Sequence, residues 1–551
     1  MITVSAVQAL GLLGLYLAAS HDVWPASEPA TAFPAWTVVL VAPLMLILAL
    51  ERDNGPRLGA LVGGFAAALG ALGAYVGIQA EPSSEVPAGS IGFWFVLSMA
   101  VVAFKGLIYL QPLANREPVN YARLFTYSWR DFLTAALAAA FVGGVALIFV
   151  LWAGLFSVVD VTLFAELFVE PAFLIPVLAV SFGLGAVIFR RLSGTIDGIT
   201  QLLDGLFRLL LPLLMAVVLA FLATLPFVGL APLWATGSGT SVLLWLGALV
   251  LFCCNAVFQT GRTSTLYPSA VRVLIAAGVL AIPAIVGLGG YGLWLRVLQY
   301  GWTVERCWAA LVAVLLAALS LGYLAGVVRY RLQWPRALAR VNTGVGVAML
   351  VTLLVANSPL MDFRKVSLAS QTGRVERGEL TWSTFDHFYA WRHLGRPAYL
   401  LRQELLAGAA QDDDELRLLV ERPRPLAAAR PVNATALGSN IVLRPAGLVV
   451  PEDLKWLVEQ SVMGSQGLGF VLIGQDLDGD DEDEYALLAH QDGRLSHAVA
   501  YFRSAPGQGW MGRPLTASEV PADVDLTQGS IRTLPSSVRD LEVDGLRLRV
   551  R

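Results

Sequence analysis

Residues 295–309 read LRVLQYGWTVERCWA: an apolar run stops at Tyr300–Gly301, a short polar break follows, and a second apolar run begins. The upstream run occupies 270–294 and the downstream run 308–327. Each is close to the roughly 20 residues that a helix needs to cross hydrocarbon. The stretch therefore predicts two bilayer-spanning helices with polar chemistry packed between them.

The same grammar recurs along the chain. Apolar runs of spanning length lie at 3–19, 35–50, 58–79, 91–113, 131–157, 170–189, 206–227, 238–258, 270–294, 308–327 and 340–356. The first resembles a signal peptide but lacks a positive n-region, so it reads as a retained helix. Composition agrees: of 551 residues, 56% are hydrophobic and 14% charged, against about 25% charged in ordinary soluble domains. The expected fold class is a membrane all-α body of about 11 transmembrane helices, followed by a small extracytoplasmic α+β domain.

Arginine placement predicts the orientation. Even-numbered breaks carry Arg52 and Arg57; Arg116, Arg123 and Arg130; Arg190 and Arg191; Arg262 and Arg272; and Arg329, Arg331, Arg336 and Arg340. Odd-numbered breaks carry only Arg296 and Arg306. Cytoplasmic loops retain positive charge, so the N-terminus is expected in the cytoplasm and the C-terminal domain outside, in the periplasm of a double-membrane bacterium. The implied location is a multi-pass inner-membrane protein whose first partner is the lipid bilayer. Residues 358–551 hold 21 Lys+Arg against 27 Asp+Glu, which argues against a nucleic-acid partner. The three cysteines (Cys253, Cys254 and Cys307) support neither a disulfide framework nor a zinc site.

Polar groups within spans are functional candidates. Lys105 reads as a snorkelling lysine in preference to a pathway residue. Asn255 and Gln259, one helical turn apart, read as hydrogen-bonding groups between helices. In Asn115–Phe132, Tyr121, Phe125, Tyr127 and Trp129 are expected at headgroup depth, as an anchor in preference to a binding site. The Tyr300–Arg306 break defies the charge rule. Thr303 can cap the following helix with Glu305 in its first turn, but an arginine there opposes the helix dipole. Arg306 is therefore expected to meet an anionic partner: a lipid phosphate, a ligand, or an outer-domain carboxylate such as Asp362.

NAVFQTGR (Asn255–Arg262), LRVLQYGWTVERCWA (Leu295–Ala309) and GLAPLWATGSGT (Gly229–Thr240) resemble signatures of a bacterial polytopic membrane family, domain-of-unknown-function family 4153. SPLMDFRKVSLASQ (Ser358–Gln371) and FDHFYAWRHLGR (Phe385–Arg396) resemble its post-membrane region. The resemblance implies the architecture and brings no reaction with it.

After the membrane domain (1–357), residues 358–410 read as a helical juxtamembrane stalk. Arg364, Lys365, Gln371, Arg374, Asp386, Arg392 and Arg396 gather there, either in salt bridges or as an anion-binding collar. Residues 411–435 read as a linker and 436–551 as the α+β module. In that module strands GFVLIG and YALLAH flank DLDGDDEDE, where seven of the nine residues from Asp476 to Glu484 are acidic. Alternating oxygen ligands describe a calcium loop. Asp476, Asp478, Asp480 and Glu484 supply carboxylates and Glu482 its backbone carbonyl, with Asp481 standing where glycine is usual. A weak Ca2+ site is expected, with a metal-free acidic hairpin as the alternative.

Three function classes stay open: a non-enzymatic envelope scaffold or sensor presenting this module to a periplasmic protein, a transporter or lipid-handling permease, and a membrane enzyme. The permease would have its outer mouth at Tyr300, Thr303, Glu305 and Arg306, beside Asp362 and Arg364, with an anionic lipid as a further partner. No HExxH, GxSxG, CxxC or phosphate loop supports the enzyme.

Overall fold

A computed structural model describes the chain except for residues 52, 160, 236–237, 260–265, 409–410, 412, 422, 424–440, 446–447, 449, 452–453, 456, 459–468, 478–482, 492–493, 503–509, 518–530, 535–539, 544–545 and 551. Two compact units divide it, residues 1–423 and 424–551.

The first unit is helical. Its elements are α1 (Ile2–Ser20), α2 (Pro29–Ala49), α3 (Gly55–Ile78), α4 (Ala88–Ala114), α5 (Tyr121–Ser157), α6 (Leu163–Val169), α7 (Pro171–Arg191), α8 (Ser193–Val228), α9 (Ala231–Ala235), α10 (Gly239–Phe258), α11 (Ser269–Tyr300), α12 (Val304–Tyr330), α13 (Leu338–Ala356), α14 (Phe363–Glu376), α15 (His387–His393), α16 (Arg396–Ala407) and α17 (Asp414–Glu421). Among the described residues, ten helical stretches are long and apolar enough to cross a membrane. The tenth, Val304–Ala356, contains a 3-10 turn at Arg331–Ala337 that separates α12 from α13.

These helices are apolar on all sides, which suits hydrocarbon rather than water. Large side chains such as Phe227 (90% exposed) and Trp245 (75%) point away from the protein. Interior prolines at positions such as Pro34, Pro43, Pro212 and Pro283 are tolerated where neighbouring helices satisfy the freed backbone groups. One core joins α2, α3 and α4 to the ends of α12 and α13 and to α14–α16; another joins α8, α10, α11, α12 and α13. At the α2–α3 contact the backbones approach closely: a Cβ on Gly77 would collide with the Pro29 carbonyl oxygen.

The segment Asn115–Phe132, read as interfacial, runs into the first three turns of α5, one continuous helix from Tyr121 to Ser157. One expectation needs correction. The stretch read as a linker from 411 contains helix α17, whose Leu416 and Val420 bury against Leu405 of α16.

The second unit holds one sheet of β1 (Ile441–Arg444), β2 (Gly469–Gln475), β3 (Glu484–Gln491), β4 (Arg494–Phe502), β5 (Met511–Ala517), β6 (Ile531–Leu534), β7 (Asp540–Val543) and β8 (Leu546–Val550), ordered β1-β2-β3-β4-β5-β8-β7-β6. Among the described residues, only β1 and β2 pair in parallel. Alternation places Phe470, Leu472, Tyr485 and Leu487 on one buried face, packed with Leu454 and Val458.

Gly77→Val would force α2 and α3 apart at their closest approach. It is expected to destabilise the body by about 1–3 kcal/mol, read as a lower melting temperature of the full chain in detergent.

Candidate functional site

The break between α11 and α12 is built from the end of one helix and the start of the next. Gly301 ends α11 at φ +72, ψ −179, a conformation essentially restricted to glycine. A Cβ there would also meet Gln371 Nε2 at 2.8 Å. Thr303 caps α12 as expected, its Oγ1 accepting the Arg306 N–H at 3.3 Å, and Glu305 lies in the first turn.

Arg306 is bonded within the break itself. Its Nη1 donates to the Gly301 carbonyl at 2.6 Å and the Tyr300 carbonyl at 3.3 Å, and the guanidinium sits 5.6 Å from the Tyr300 ring centroid. The carbonyls at a helix C-terminus lack intrahelical partners and carry partial negative charge. Arg306 therefore opposes the dipole of α12 but completes the end of α11. Asp362 is engaged elsewhere: its carboxylate accepts from Arg364 Nε at 2.8 Å and Nη2 at 2.9 Å, caps α14 through the Arg364 N–H, and accepts the Tyr75 hydroxyl at 2.8 Å. Both Asp362 and Arg364 are buried, at 4% and 7% exposure.

Residues read as a stalk close over this end of the bundle. Gln371 Nε2 donates to the Tyr300 and Trp302 carbonyls, Ser367 Oγ donates to the Trp302 carbonyl, and the Trp302 N–H donates to Ser370 Oγ. Arg374 bonds Glu379 and the Gln299 carbonyl, Lys365 lies over the Tyr75 ring, Asp386 caps α15, and Arg396 pairs with Glu81. Helices α14–α16 thus form a cap bonded to the spans.

Sequence reasoning missed the groups facing Glu305. Tyr389 accepts the Val304 N–H at 2.8 Å and donates to Glu305 Oε2 at 3.1 Å. Burial, reinforced by Glu305, holds its hydroxyl above the ordinary range, so it stays a donor. His393 Nδ1 lies 2.8 Å from Ser90 Oγ and 3.6 Å from Glu305 Oε1. A nucleophile relay needs serine and carboxylate on opposite ring nitrogens; here both meet Nδ1, so the trio ties α4, α12 and α15 together.

At the opposite end of the bundle, Asn255 Oδ1 accepts from Asn342 Nδ2, Asn342 Nδ2 also donates to the Tyr121 hydroxyl at 2.8 Å, and the Tyr323 hydroxyl lies between Asn255 Oδ1 and Asn342 Oδ1. Gln259 Nε2 reaches Asp204 at 3.4 Å. Asn342 lies in the last apolar run, where its polarity was a readable signal. Lys105, on α4, faces a cavity beside this network. Nearby, buried Asp131 accepts from Gln111 and Arg130, while Arg190 donates to the Ile47 and Leu50 carbonyls at the end of α2.

In the second unit, Gln475 pairs with Glu484 to close the β2–β3 ladder. Glu484 is buried, and its Oε2 accepts the Leu477 N–H at 2.8 Å. Asp476 leads into the turn; Asp478, Asp480 and Glu482 lie outside the described residues. Among the described residues, no group of three or more His, Cys, Asp or Glu is arranged to hold a metal.

Residues 24–390 match the family described as domain of unknown function DUF4153, and the chain belongs to that family. The match runs from the turn before α2 into α15. No curated protein and no solved structure matches the chain.

Asp362→Ala would strand buried Arg364 and is expected to cost about 3–5 kcal/mol, measured by chemical unfolding of the purified chain. His387 and His393 are held below the ordinary histidine value, chiefly by burial, so their neutral forms favour folding. That contribution is complete above about pH 6.5 and declines as pH falls further. The melting temperature should therefore drop between pH 7.5 and 5.5, and a His387→Gln/His393→Gln double variant should flatten the drop.

Proposed function

We propose that this DUF4153 member is a non-enzymatic scaffold of the bacterial inner membrane. Its helical body crosses the bilayer with the N-terminus cytoplasmic, and its cap and β-sheet unit face the periplasm. The observation that carries this reading is the bonding within the Tyr300–Arg306 break. The donors of Arg306, Gln371, Ser367 and Tyr389 and the acceptors of Tyr300, Gly301, Trp302 and Glu305 are bonded to one another. A permease mouth needs groups that exchange protein partners for cargo; a platform needs groups that stay bonded.

Separate crossings for α12 and α13 are supported by their close packing across the intervening turn. A Cβ on Gly322 would lie 2.5 Å from Val341 Cγ1. The sheet unit is proposed to present a calcium-stiffened β2–β3 turn to a periplasmic protein, with Asp476, Asp478, Asp480, Glu482 and Glu484 as the oxygen set. The strand register and the hydrogen bond from Leu477 to Glu484 bring the two flanks of that turn together, which supports the reading.

Hydrogen exchange of the full chain in lipid nanodiscs tests the platform. The amides of Trp302, Val304 and Arg306 should exchange only on unfolding of the body; exchange within seconds would reject a closed joint. Alkaline phosphatase fused after residue 551 should be active if the sheet unit is periplasmic. In the same chain, millimolar calcium should slow proteolysis of residues 424–551, and Asp478→Ala should remove that protection.

A further inference from the structure

The end of the bundle away from the cap carries a cavity of about 370 Å³ between α4, α5, α10, α12 and α13. Its lining is graded along the helices. Tyr121, Asn255 and Asn342 lie within about one turn of their helix ends, whereas Phe104, Phe132, Leu319 and Met349 lie about three turns deeper. Phe132 and Phe252 are 53% and 48% exposed, so the cavity opens on the apolar flank of the bundle.

One lining group has unmet chemistry, and it is a donor. Lys105 has no hydrogen bond or ion pair among the described residues. The asparagine and tyrosine groups beside it are already bonded to one another. The cavity therefore lacks an acceptor, and an anionic one would also match the charge on Lys105. Lys105 stands about 13 Å in from the end of α4. Its stem can carry the ammonium toward the headgroup boundary.

We propose that this cavity binds one anionic phospholipid. The lipid phosphate would meet Lys105, and an acyl chain would leave along Phe132 and Phe252. A polar end at headgroup depth, an apolar interior and an opening on the lipid-facing flank suit a lipid and not a soluble anion. This site is separate from the capped joint and does not depend on the scaffold reading.

The test is native mass spectrometry of the delipidated full chain, titrated with phosphatidylglycerol or phosphatidylcholine of matched acyl chains. Wild type should retain one phosphatidylglycerol about tenfold more strongly than phosphatidylcholine, the scale of one charge-assisted contact. Lys105→Met should abolish the preference and Lys105→Arg should keep it. Leu319→Trp, which fills the apolar part and leaves Lys105 in place, should lose the bound lipid, providing an independent reading if Lys105→Met fails to fold. Equal retention of the two lipids, or an unchanged preference in Lys105→Met, would overturn the proposal. Displacement of the bound lipid by soluble glycerol phosphate would do the same, by showing a free-anion site.

Discussion

The helix ends set the terms for the first unit. A helix within hydrocarbon satisfies its own backbone along its length, but its last carbonyls have no intrahelical partner. Here an arginine completes the end repeatedly. Arg190 donates to the end of α2, Arg306 to the end of α11, and Arg402 to the Val420 and Glu421 carbonyls at the end of α17. A guanidinium suits this task because it offers several donors in a fixed plane and keeps its charge. Each such bond also fixes the helix that carries the arginine, so capping and packing are one interaction.

The two ends of the bundle use polar groups differently. At the capped end, hydrogen bonds join α3, α4, α11, α12 and α14–α16, and a buried ion pair between Asp362 and Arg364 holds the start of the first cap helix. At the opposite end, Asn255, Asn342, Tyr121 and Tyr323 form a compact network, while Lys105 beside it keeps its donors unspent. Bonds made within the protein suit a joint that stays closed. An unspent cation beside an open apolar cavity suits an anionic ligand.

Much of the helical framework was legible because the bilayer imposes one requirement on every span: enough apolar length. That requirement survives in a one-dimensional reading, and the ten spanning stretches fall on the apolar runs. Thr303 as a cap was a local feature of the same kind. The partner of Arg306 was not legible. The sequence presents a cation in the first turn of α12, and charge alone suggests an anion; the carbonyls of Tyr300 and Gly301 carry no signature in a residue list. Likewise β6 and β7 span four residues each, too short for a period to stand out, and their identity comes from pairing.

By itself the sequence determined a polytopic helical body, a separate C-terminal unit with strands, and membership of a family already marked by its motifs. These follow from hydrophobic length and local pattern, which act over a few turns of chain. Tertiary structure alone decided that α14–α16 cap the bundle, that Asp362 belongs to Arg364 and Tyr75, and that Lys105 lies on a cavity. Those outcomes depend on which helix ends meet in space, and groups nearly three hundred residues apart, such as Tyr75 and Asp362, become partners only when the helices pack.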